Sequence, residues 1–404
     1  MTSLTKPDTI ISARRKSVVG DAISQFCDDL FSSFLRSDQR RWGEVYLRGL
    51  ISVSGRRSIR RISEQVVGWR ADQCLQQFVN QSPWKWEPVR ARLAQQVDAA
   101  LRPKAWVVEE VVFPKCGTNS VGVEKQYAHS AGRVLNCQLG LSVFLVGEDG
   151  SCPVNWRLLL PRSWDGDAAR RSSAHVPDNE RHRSRWDQLL DAVDEMSADW
   201  DLIPAPVVID AQHVPHVEPL LEGLEKRGLG YVVRVAENTP TAAPATGTLA
   251  RAQTIGDVVA QSVGRTEVTL SWPGGAGGRL IRSRFVVALL PGPAASHELG
   301  QARARRRQRR VIADWSPNRR RSKAVWLTNL NVSRLPDLIG LIRLRRRTGE
   351  ELARMNEHSG LRHFEGRSYR GWHHHVTLVS AAHGYLLLGR LADSVGDDWV
   401  AQYV

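Results

Sequence analysis

Three groups of acidic side chains could do metal chemistry. Glu109 and Glu110 close the run AWVVEE, Asp210 closes APVVID, and Glu350 with Glu351 follows the basic run RLRRR. Carboxylates at the C-terminal ends of neighbouring strands can share divalent ions. Two ions held roughly 3.5–4 Å apart cut a phosphodiester by activating water and steadying the leaving oxygen. Mg2+ suits such a site, being a hard ion that takes oxygen ligands at about 2.0–2.1 Å. A third carboxylate normally comes from a helix beside the sheet. Acids at strand ends are also common where no such chemistry exists, so the spacing alone is a weak signal.

Other candidate ligands fare worse. His373, His374 and His375 are consecutive, and on a helix consecutive side chains diverge by about 100°, so the three cannot hold one ion. A structural or DNA-facing role is the expectation for them, and a structural one for His213 and His216. The five cysteines are scattered, odd in number and without a C-x-x-C spacing. That pattern argues for buried thiols in a reducing compartment and against a zinc ribbon or a disulfide frame.

Periodicity indicates the elements that must position these acids. Residues 20 to 100 read as helical: Ile23, Phe26, Cys27, Leu30, Phe31 and Phe34 recur at three- and four-residue steps. Ser58 is placed to cap a helix that turns Ile59, Ile62 and Val66 inward and Arg56, Arg57, Arg60 and Arg61 outward. Short helices with arginines at one start suit a helix-turn-helix-like DNA module; a bundle with a solvated arginine face is the bland alternative. After Pro103 the texture changes. Strands are expected over 105–112, 136–146, 154–160, 205–210 and 230–235, with helices over 178–196 and 217–227. Strands giving way to strand–helix–strand indicate a mixed α/β sheet. Residues 236–335 read as an insertion, with strands over 266–272, 280–290 and 325–330. Long helical stretches are expected over 335–356 and 372–388.

Charge indicates the partner. Lys and Arg number 56 against 42 Asp and Glu, a net charge of +14. A chain this basic usually meets a polyanion. Three basic runs, 303–310, 319–323 and 343–347, lie in or beside the insertion; each is either a solvated face or a phosphate-binding surface. Arginine binds phosphate bidentately. The fourteen tryptophans lie mostly in apolar surroundings, which suits a core role. No window approaches 18 apolar residues and the start lacks a signal-like apolar stretch, so a cytoplasmic protein without a membrane segment is expected.

Several blocks together resemble the DDE transposases of bacterial insertion sequences, with the insertion sequence seven-oh-one family the nearest in pattern. They are WVVEEVVFPKCGTNSVGVEKQY, NCQLGLSVFL, CPVNWRLLLPRSW, VVIDAQHV, GLEKRGLGYVVRV, ADWSP, AVWLTNL and HFEGRSYRGWHHHVTLVSAAHGYL, with RWGEVYLRGLIS and QSPWKWEPVRARL in the helical part. The likeness runs over roughly residues 40 to 388. It implies an α/β fold: an RNase H-like mixed sheet with a β-rich insertion, preceded by an N-terminal helical domain. The corresponding segments are an N-terminal helical, DNA-binding domain over 1–100 and the first part of the RNase H-like domain over 101–235. A β-rich basic insertion over 236–335 and a C-terminal helical part over 336–404 complete the chain. The likeness also implies DNA as partner, Mg2+ as cofactor and, by analogy, a homodimer.

The departures from that family are informative. Its first strand ends in two aspartates, the second catalytic; here Glu109-Glu110 stands instead. Glu110 and Asp210 are thereby the expected metal ligands. Glutamate adds a methylene and shifts its carboxylate by about an ångström, more than the roughly 0.5 Å a catalytic constellation tolerates. In the late helix the family's arginine falls on Arg345, its catalytic glutamate on Gly349 and its lysine on Asn356. Glu350 adjoins the empty position. The leading expectation is a DNA-binding protein of this type with impaired or lost nuclease and strand-transfer activity. It would hold DNA through Arg56, Arg57, Arg60, Arg61, Arg305, Arg306, Arg307, Arg309, Arg310 and Arg345. The alternative is a working transposase that uses Glu110, Asp210 and Glu350. A protein–protein module without DNA binding is a third reading.

Overall fold

Helices form where apolar residues recur every three or four positions, and strands where branched residues run together. The computed structural model describes residues 22–241, 253–264, 266–273, 280–290, 308–316, 321–331 and 335–395. The fold is mixed α/β, with a helical N-terminal region ahead of a mixed sheet, as the sequence led us to expect. By contacts, the chain divides into two compact units. The first comprises residues 1–103, 110–203 and 347–404; the second comprises 104–109 and 204–346.

In the first unit, α1 (22–30), α2 (Ser37–Ser52), α3 (Ile59–Ile62), α4 (Asp72–Asn80) and α5 (Trp86–Leu101) precede the strands. On α2 the buried Gly43, Tyr46, Leu47 and Leu50 form one stripe. Gly49 on that face packs so closely on Ile62 that a Cβ would overlap it. The far half of β1 (Ala105–Pro114) belongs here, with β2 (Glu124–Ala128), β3 (Arg133–Val146) and β4 (Ser151–Leu159); β3 pairs antiparallel with both β2 and β4. Two further helices are α6 (Ala168–Ser173) and α7 (Arg185–Asp194). The helix expected over 178–196 begins at Arg185, where the Ser184 side chain caps it by accepting from the Asp187 N–H.

The second unit holds the near half of β1, β5 (Val207–Asp210), α8 (Glu218–Lys226) and β6 (Tyr231–Val235). β1, β5 and β6 are parallel neighbours, and α8 makes the crossover between β5 and β6. The sheet then turns antiparallel. β10 (Arg321–Thr328) pairs with β6 and with β9 (Arg310–Ser316), β9 with β8 (Leu280–Leu289), and β8 with β7 (Glu267–Pro273). The insertion strands therefore continue the sheet of β5 and β6. Helix α9 (Ile255–Ser262) opens on a capping box between Thr254 and Asp257. Sequence reasoning missed β2, β9 and α9; β2 is charged (EKQYA), β9 emerges from an arginine run, and α9 is only two turns long.

Two late helices complete the chain, α10 (Leu335–His358), which runs through both units, and α11 (Tyr369–Val395). The α11 segment GWHHHVTLVSAAHG is buried on every face, so α11 is the central helix of the first unit rather than an amphipathic cover. Its three histidines are core residues. His373 stacks on Trp86 with centroids 4.5 Å apart, and His374 on Trp84 at 3.6 Å. His375 accepts at Nδ1 from the Tyr46 hydroxyl at 3.0 Å, and its Nε2 faces the carbonyls of Gly360 and Leu361 at 3.2 Å. The buried Arg90 guanidinium donates to Thr377 Oγ1 and the Trp156 carbonyl at 2.8 Å, and to His373 Nδ1 at 3.0 Å.

Arg90 has only donors, so His373 must accept at Nδ1 and be neutral; burial favours the neutral form of His375 as well. Burial lowers both pKa values, His375 to about 4 and His373 well below the usual range. In the unfolded chain histidine titrates near 6.5. Stability is therefore complete above about pH 6.5 and falls as the pH drops toward 4, because the unfolded chain takes up protons that the native core refuses. The urea midpoint, followed by tryptophan fluorescence, is expected to fall steadily from pH 7 to pH 5. Each such histidine adds up to about 1.4 kcal/mol per pH unit. His375→Gln should lower stability at pH 7 and flatten that slope; an unchanged slope would contradict the assignment.

Candidate active site

The register of two strands brings the acids together. β1 and β5 pair Trp106 with Val207, Val107 with Val208 and Val108 with Ile209. One step further, Glu109 stands abreast of Asp210. Residues abreast on parallel strands share a face, and successive residues alternate. Glu109 and Asp210 thus rise on one side of the sheet, and Glu110 on the other.

Two arginines neutralise the pair. Arg345 of α10 places Nη1 2.9 Å from Asp210 Oδ2 and Nη2 3.4 Å from Glu109 Oε2. Arg234 of β6 lies abreast of Asp210 and donates to the same Oδ2 at 3.1 Å. The other oxygen, Asp210 Oδ1, accepts the Gln212 N–H at 2.9 Å. Both carboxylates are largely buried, at 8% and 16% side-chain exposure. Two like charges 4 Å apart cost about 4 kcal/mol at the effective dielectric of a partly buried site. The shared guanidinium replaces that repulsion with two attractions.

Glu110 is held separately. Its Oε1 accepts the Ser130 N–H at 2.9 Å and the Ser130 hydroxyl at 3.1 Å, and its Oε2 pairs with Arg185 at 2.9 Å. On α10, Gly349 comes one turn after Arg345 and shares its helix face. A Cβ built at Gly349 meets no atom within 4 Å, so the position has room for a side chain. Glu350 is exposed, about 100° round the helix. Glu351 is buried; it pairs with Arg354 at 3.2 Å and lies 3.7 Å from His383 Nε2. Glu109 and Asp210 offer two hard oxygen donors side by side, which fits one divalent ion. Among the described residues, no group of three or more His, Cys, Asp and Glu side chains is arranged to hold a metal.

Sequence reasoning passed over Glu109 and Arg234. A usable signal was present: VVE and VID end equivalent apolar runs, so aligning their last apolar residues puts Glu109, not Glu110, beside Asp210.

The arginines expected to meet phosphate have mixed surroundings. Arg57 is buried and donates to the carbonyls of Leu50 at 2.9 Å, Gly55 at 2.8 Å and Glu357 at 2.9 Å, so it ties the fold together. Arg56 pairs with Glu365 at 2.6 Å and Arg60 with Glu64 at 2.8 Å, both at the surface. Arg61 reaches the Arg56 carbonyl at 3.4 Å. Arg309 is clamped between Glu218 at 2.6 Å and Glu225 at 2.7 Å, and Arg310 donates to the Leu330 carbonyl at 3.1 Å. Arg305, Arg306 and Arg307 lie outside the described residues. Among the described residues, no helix is long and apolar enough to cross a membrane.

Residues 29–258, more than half of the chain, match the DDE superfamily endonuclease family. The chain belongs to that family. No curated protein matches the chain.

The two glutamates should separate by experiment. Glu110→Gln removes the charged partner of the partly buried Arg185 and is expected to cost about 1–3 kcal/mol of stability in urea titrations. It should leave Mn2+ affinity, measured by calorimetry or by paramagnetic resonance, unchanged. Glu109→Gln should weaken Mn2+ binding at least about tenfold, with a smaller loss of stability because Asp210 still pairs with Arg345.

Proposed function

We propose that this chain is a transposase-like DNA-binding protein, of the type found in the insertion sequence seven-oh-one family, with an impaired cleavage and strand-transfer centre. The observation that carries this reading is the Glu109–Asp210 pair closed by Arg345, with glycine one turn further along the same face of α10. A nuclease of this family needs a third carboxylate from that helix, and Gly349 has none to give. Glu350 is about 100° round the helix from that position, and Glu351 is paired with Arg354. Glutamate in place of the first aspartate adds a second displacement.

Glu109 and Asp210 would hold a divalent ion, which when bound supplies the Lewis acidity that activates water toward phosphate. The chain's own residues constrain that chemistry. An ion can be admitted only if Arg345 releases a carboxylate, so binding competes with two ion pairs. With the third donor absent, orientation of the scissile phosphate rests on two ligands. Losing one charged ligand in a partly buried site removes several kcal/mol of transition-state stabilisation, or orders of magnitude in rate. The net charge of +14 supports retention of DNA binding.

A plasmid-nicking assay with Mg2+ or Mn2+ tests the reading. The wild-type chain should cut within about tenfold of background, and Gly349→Glu should raise cutting by at least about tenfold, since the position has room. Robust cutting by the wild-type chain that Asp210→Ala abolishes would establish the working transposase instead. DNA binding followed by fluorescence anisotropy should weaken steeply with salt, with a log–log slope of about −4 or steeper. A flat response would remove DNA as the partner.

A further inference from the structure

The first unit carries an aromatic surface that the nuclease centre does not use. Trp69 lies in the link between α3 and α4 and is 53% exposed. The link is built to hold it there. α3 ends in a wide π turn over Ser63–Val67, and Gly68 then takes the left-handed conformation, with φ at 78°. Such a φ is strained for any residue with a Cβ, so glycine sets the exit direction of the chain. Beyond it, the buried Ser63 hydroxyl fixes the chain that leaves Trp69. It donates to the Trp69 carbonyl at 2.9 Å and accepts the Ala71 N–H. The loop is therefore tied down by internal bonds while its largest apolar side chain faces water.

The surroundings of Trp69 are aromatic and basic. Trp42 of α2 meets it at a centroid distance of 6.5 Å and an interplanar angle of 72°. The exposed Arg41 guanidinium lies over the Trp42 ring at 5.2 Å. Arg70, the next residue, is 79% exposed and only 3.7 Å from Asp72, a loose contact that leaves it open to other anions. A braced tryptophan beside arginines matches the chemistry that holds unpaired nucleic-acid bases: a flat ring stacks on the base face while guanidinium groups meet the backbone phosphates. Duplex DNA hides its base faces in the helical stack, so a stacking ring reaches only unpaired ones.

We infer that Trp69, braced by Trp42 and flanked by Arg41 and Arg70, is a stacking platform for an unpaired base of a single-stranded DNA segment. The inference rests on the DNA-binding reading above and adds the kind of DNA that this face takes.

The test uses the full chain, a fluorescein-labelled oligothymidine and a blunt duplex of the same length. Trp69→Ala should weaken oligothymidine binding about 10-fold or more, as expected for loss of one stacked base. Duplex binding should change less than about twofold, and Trp69→Phe should recover part of the loss. An unchanged thermal unfolding curve would show that the variant folds. Ultraviolet crosslinking of an oligonucleotide carrying 5-iododeoxyuridine should label the peptide that contains Trp69. The inference fails if Trp69→Ala binds oligothymidine normally, if it loses both DNAs equally, if the label falls only elsewhere, or if the wild-type chain binds duplex alone. A wild-type chain that binds neither DNA overturns the DNA-binding reading itself.

Discussion

The placement of charge at the end of two parallel strands governs the rest of this molecule. Glu109 and Asp210 lie abreast because β1 and β5 pair with Val108 opposite Ile209. Two partly buried carboxylates abreast repel each other. Arg345 and Arg234 offset that repulsion by pairing with them. Chemistry at this point must therefore begin by displacing a guanidinium. The contact also packs the first part of α10 on the strands of the second unit.

The side chains that hold the scaffold are thus separate from the Glu109–Asp210 pair. A Cβ at Gly349 would meet no atom within 4 Å, so glycine there leaves no packed contact unmade at that position. Its cost is the modest helix penalty of about 1 kcal/mol. By contrast, Glu110 is bonded to Ser130 and Arg185, and Glu351 to Arg354, so these acids serve packing. The acids that hold structure sit on the opposite face of β1 and the inner face of α10.

The first unit solves a different electrostatic problem. α11 buries three consecutive histidines and faces a buried arginine. Arg90 is satisfied by a threonine hydroxyl, a carbonyl and a histidine nitrogen instead of a carboxylate, and burial lowers its pKa to about 9. At neutral pH it remains charged. Aromatic rings of Trp84 and Trp86 cover the histidines on one side, which keeps water from competing for these bonds.

The sequence by itself determined the class of fold and the strand ends that carry acids, because periodicity and local spacing record which residues share an element. Between Glu109 and Glu110 it offered only the alignment of two apolar runs, and pairing with a strand some hundred residues away decides which one stands beside Asp210. It could not show that Arg57 and Arg309 are committed to internal partners, since a surface cation and a buried one read alike in a basic run. It placed tryptophans in the core by composition, yet a left-handed glycine and one serine hydroxyl turn Trp69 outward. Register, burial and loop geometry depend on contacts distant in the chain, and those exist only once the tertiary structure has formed.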